Sequence, residues 1–126
     1  MKKTVCLLII LILAITMCSC AYSVDFIKSN LKNSGYEIID LQEQQIIEMN
    51  NELKYSYSGN GSIMSGFYAV NNKDSSSITV LEFQNKSDLT IMYKMIKESL
   101  EQGESVDLSG NILIYGNENG VKASLK

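Results

Sequence analysis

The feature that most limits what this chain can fold into is its first twenty residues. Met1-Lys2-Lys3 is a short positive start. Val5 to Met17 follows without a charge and with Thr16 as its one polar side chain, and small residues Cys18, Ser19, Cys20 and Ala21 close the stretch. A positive start, a short apolar run and a small-residue end form the pattern of an export signal, which does not belong to the folded product. Residues 1–19 are therefore expected to be removed. That leaves 107 residues, of which 20–23 form a short tether and 24–126 a single globular domain.

Composition narrows the chemistry. The chain has no His, Trp or Pro, and all eleven basic residues are Lys. Without Arg there is no planar fork for phosphate or carboxylate, and without His there is no imidazole base or imidazole metal ligand. The processed chain keeps nine Lys against fourteen acids, a net charge of −5. That sign disfavours nucleic acid as a partner. No Ca²⁺ loop of D-x-D-x-D-G type, phosphate loop or serine-hydrolase elbow is present. Ser29-Asn30-Leu31-Lys32 matches S-x-x-K, but its companion motifs are missing. The expectation is a domain with no catalytic residues, no metal and no cofactor.

Met17-Cys18-Ser19-Cys20 resembles a bacterial lipobox. The resemblance to bacterial lipoproteins implies a diacylglyceryl thioether on Cys20, cleavage before it and acylation of its amine. Two acyl chains give stable membrane attachment where one is marginal. The implied location is the outer face of the bacterial cell membrane. Cys6 and Cys18 would leave with the signal, so the exported domain would hold no free thiol. Ser19 and Ala21 also satisfy the small-x-small rule for ordinary signal peptidase, which would release a soluble protein beginning at Tyr22.

Along the remaining chain the periodicities alternate. Val24–Asn33 reads as a helix capped by Ser23. Tyr36–Asp40 reads as a strand, and Asp40 with Glu43 as a capping box opening a helix that reaches about Leu53. Lys54–Ser62 reads as a loop. Ile63–Val70, with Gly66 as a candidate bulge, and Ser77–Phe83 read as strands, the second apolar on both faces and therefore central. Ser87 is expected to cap a helix striped by Leu89, Met92, Tyr93, Ile96 and Leu100, which Gly103 ends. Asn111–Tyr115 is the last clear strand, and the tail is open to a hairpin or a short helix. This order predicts an α+β fold: a ferredoxin-like, split βαβ antiparallel sheet preceded by one extra helix, which lies at an edge or covers the second face.

Two surfaces are candidates for binding. Tyr55, Tyr57 and Asn60 fall in a segment rich in Ser, Gly and Asn, with Tyr68 on the next strand, a composition suited to adaptable recognition. Glu98, Glu101, Glu104 and Asp107 form an acidic series that opposes the helix dipole at its C-terminal end, so local stability does not account for it. Met49, Met64, Met92 and Met95 are read as core. The expected function is a membrane-anchored, extracytoplasmic protein-interaction module binding a partner in the cell envelope. The alternative is a small-solute-binding or sensing lipoprotein.

Overall fold

A computed structural model describes residues 22–126. The expected export signal, the lipobox-like Met17-Cys18-Ser19-Cys20 and the expected lipidation site Cys20 lie outside the described residues. Ser23 starts α1 (Val24–Asn33) by accepting a hydrogen bond from the Phe26 amide, and Gly35 follows its end with φ +88°. Then come β1 (Tyr36–Asp40), α2 (Glu43–Tyr57), β2 (Ile63–Asn71), β3 (Ser77–Phe83), α3 (Lys86–Ser99), β4 (Glu104–Ser109), β5 (Ile112–Asn117) and α4 (Glu118–Ser124).

The five strands form one antiparallel sheet in the order β1-β2-β3-β5-β4. The fold is α+β, with a helix leading into an antiparallel sheet, consistent with the ferredoxin-like class expected. β3 and β4 run parallel with β5 between them, so β3–α3–β4 is a split βαβ unit. Helices cover both faces. Ile27 and Leu31 of α1 and Val121 of α4 bury Phe67, Ala69, Ile78, Val80, Ile112 and Ile114. Leu53 of α2 and Leu89, Met92 and Ile96 of α3 bury Leu81, Phe83 and Leu113 on the other side. β3 feeds both cores, which is why Ile78–Leu81 carries no polar break except Thr79.

Several local readings change. The helix α2 opens at Gln42, whose amide donates to the Gln45 side chain at 2.9 Å, not at Asp40. The Leu41 amide donates to Gly66 O, so pairing with β2 continues past Asp40 and displaces the helix start. Asp40 instead meets Lys28 at 2.7 Å. α2 also continues four residues beyond Leu53. Tyr57 keeps the i,i+4 stripe, and Ser58 stops the helix in the left-handed region at φ 57°, with Gly59 N–H closing onto Leu53 O. α3 begins at Lys86, because Asn85 accepts from the Ser87 amide at 2.8 Å and takes the cap from Ser87.

The strand irregularity falls between Ile63 and Ser65 and turns Met64 outward; Gly66 lies in regular pairing. Gly66 is required for another reason: a Cβ there would stand 2.7 Å from Val80 O and from Leu41. β4 carries no sequence periodicity because it is a half-exposed edge strand. The tail is a helix, and Gly120 lets it approach the sheet, since a Cβ would stand 2.6 Å from Ile78.

Candidate functional site

Antiparallel pairing places residues in rows across the sheet. On the face of α2 and α3, one row runs Ile39, Tyr68, Thr79, Tyr115, Val106. Paired residues share a face, so these side chains form a continuous band. α2 and α3 each pack on the sheet more than on each other, and they leave the β1–β2 end of the band uncovered. Ile39 is 50% exposed and Tyr68 37%. Toward the other end Tyr115 is half-buried. Burial pushes its phenol above the ordinary value of 10.0; a hydrogen bond with Thr79 opposes this, and Tyr68 adds to it.

Beside the band a cleft of about 460 Å³ opens between the β2–β3 turn, the end of α3 and β5. Its apolar wall is Ile78, Ile96, Leu100 and Tyr115; its polar wall is mainly the hydroxyls of Ser75, Ser77, Thr79 and Ser99 with Gln102, Asn117 and Glu104. Ser75 holds φ 60°, and Gly116, φ +136°, sets the rim. A narrower slot of about 170 Å³ between α2 and α3 shares Ile96 and Tyr115 with this cleft and adds Met49, Tyr57, Met92 and Met95. Band, cleft and slot thus form one shelf, floored by the sheet and walled by two helices. Three of the four methionines read as core line the slot, and Met64 stands at the surface.

Of the four candidate recognition residues, the structure brings Tyr57 and Tyr68 to the shelf. Tyr55 is 85% exposed on α2 and does not line the shelf. Asn60 serves the fold: its amide donates to Asp88 Oδ1 at 2.7 Å, and the amide and hydroxyl of Ser62 donate to Oδ2 at 2.8 and 2.6 Å. Asp88 is fully buried beneath this thin loop. Burial works against its ionisation, but the Ser62 hydroxyl and the Asn60, Ser62 and Gly61 amides outweigh it and hold the carboxyl below 3.8. The loop 59–62 is thus fastened to the first turn of α3.

The acidic series does not converge. Glu98 lies on α3 and Glu101 in the turn, where its amide donates to Glu104 at 3.0 Å. Glu104 pairs with Asn117 and Asp107 with Ile114, so the two point to opposite faces of β4. Among the described residues no group of three or more carboxylates or cysteines is placed to hold a metal ion. No described helix is long and apolar enough to cross a membrane. The shelf residues Ile39 and Tyr115 escaped the sequence reading because only the cross-strand register unites them. Comparison with protein-family models, curated proteins and solved structures finds no match for this chain.

Proposed function

We propose that this chain is a lipid-anchored domain on the outer face of a bacterial cell membrane, which binds another envelope protein through the shelf without catalysing a reaction. The observation that carries the reading is the pair Ile39 and Tyr68, apolar side chains left open to solvent on adjacent strands. A solvated face of an antiparallel sheet ordinarily carries polar residues at such positions. Contiguous exposed apolar surface marks a contact site. The unpaired edge of β1 lies beside it and offers backbone groups to an incoming extended segment. The tyrosines supply broad contact area at little cost in side-chain freedom.

A photo-crosslinking side chain placed at Tyr68 in living cells tests this. The expected result is a discrete adduct with one envelope protein, absent when the crosslinker replaces Lys122 on the opposite layer. Ile39→Ser is expected to weaken that contact about tenfold while leaving the domain folded. Loss of the adduct from Tyr68 alone would hand the shelf to the alternative reading, a small-solute site, for which the cleft volume is sufficient.

A further inference from the structure

The start of the described chain is fixed to the domain. The Tyr22 amide donates to Ser109 Oγ at 2.9 Å, and the Tyr22 and Phe26 rings stack with centroids 4.9 Å apart and planes within 6°. Both rings are substantially exposed, Phe26 to 42%. Cys20 precedes Tyr22 by two residues. Two residues span at most about 7 Å. The polar zone of a bilayer leaflet is itself about 5–8 Å deep. An acylated Cys20 therefore holds the Tyr22–Phe26 corner at the depth of the headgroups.

We infer that the stacked Tyr22–Phe26 pair is a membrane foot, which packs into the headgroup region of the bilayer and fixes the orientation of the domain. The inference rests on the lipid-anchored reading and deepens it. Aromatic rings favour this interfacial depth. The contact is not driven by charge: Asp25 lies next to Phe26, and the nearby Lys28 is engaged by Asp40. The foot sits by α1, on the sheet face opposite the shelf, so anchoring leaves the shelf open to a partner.

The chain contains no Trp, so single Trp probes report without background. Full-length protein carrying Phe26→Trp, Tyr22→Trp or Tyr55→Trp is extracted from membranes, its mass is measured, and it is reconstituted into vesicles containing phosphatidylcholine brominated near the top of the acyl chains. The expected result is loss of emission and a blue shift for the probes at 22 and 26, neither for the probe at 55, and no change on adding salt. Acylated protein whose probes at 22 and 26 are quenched no more than the probe at 55 would overturn the foot and leave the anchor standing. Protein without acyl mass on Cys20 would overturn both.

Discussion

Asp88→Ala is expected to lower the unfolding free energy by about 3 kcal/mol, because it removes a buried carboxylate that three part-buried donors share. The Asn60 amide, the Ser62 amide and the Ser62 hydroxyl all end on this carboxylate. The loop they belong to connects α2 to β2, and its release uncovers the join between Leu53 and Leu89 in one core. For a domain of this size the melting temperature should fall by roughly 10–20 °C. Asp88→Asn retains the shape but turns an amide NH₂ toward donors, and should cost somewhat less. The pH dependence has a definite sign. The folded carboxyl titrates below its ordinary 3.8, so the unfolded chain takes up the proton first. The stabilisation is complete well above 3.8 and is lost as pH falls through that value toward the folded one. Thermal melts between pH 7 and pH 2.5 should show a steep acid decline that Asp88→Asn flattens. An unchanged acid limb in that variant would show that the carboxylate does not fasten the loop. Asp74, fully exposed, is also held below 3.8 by the hydroxyl and amide of Ser76 and should supply part of the residual slope.

Gly116→Ala is expected to destabilise by about 3 kcal/mol, by a different route. Gly116 holds φ +136° and pairs with Ile78 in the β3–β5 ladder. A Cβ there would press against Ser77 O and stand 2.8 Å from Ile78 Cα. Both neighbours are backbone, so no rotamer change relieves the contact, and the ladder must open at the rim of the cleft. Gly103→Ala is the internal comparison. That glycine has φ +86° with nothing within 4 Å of a Cβ, so the variant incurs conformational strain of about 1–2 kcal/mol without a clash. Denaturant titrations of the two variants separate the contributions. Equal losses would mean that the close approach at Gly116 is relieved without opening the sheet.

These two positions also show which parts of the fold were legible in sequence. Elements whose burial produces a periodic pattern were readable: α1 through Val24, Ile27 and Leu31, α3 through Leu89, Met92 and Ile96, and central β3 through its unbroken apolar run. β4 was not, because on this half-exposed edge strand only Val106 packs against a core. Its one local signal was Gly110-Asn111, which links it to β5 as a two-residue hairpin. The last turn of α2 was hidden because Ser58, not glycine, adopts the left-handed stop. Asp88 directly follows the expected cap Ser87, where an acid is ordinary for a first helical turn, whereas its partners lie 26 and 28 residues earlier. The candidate site divides along the same line. Tyr57 and Tyr68 were visible as aromatic residues, but Ile39, Thr79 and Tyr115 join them only through strand register, a long-range property that no local spacing encodes. Tyr55 and Asn60 were drawn in by composition alone; the helix carries one away from the shelf, and the buried carboxylate ties down the other.

The proposed lipid anchor is tested most directly by intact mass spectrometry of the protein recovered from separated membrane and soluble fractions. The predicted result is a membrane-bound chain that begins at Cys20 and bears the added mass of a diacylglyceryl group and an acyl chain, with the same mass shift lost in Cys20→Ala. A soluble chain that begins at Tyr22, or one that retains Met1 without added lipid, would contradict it.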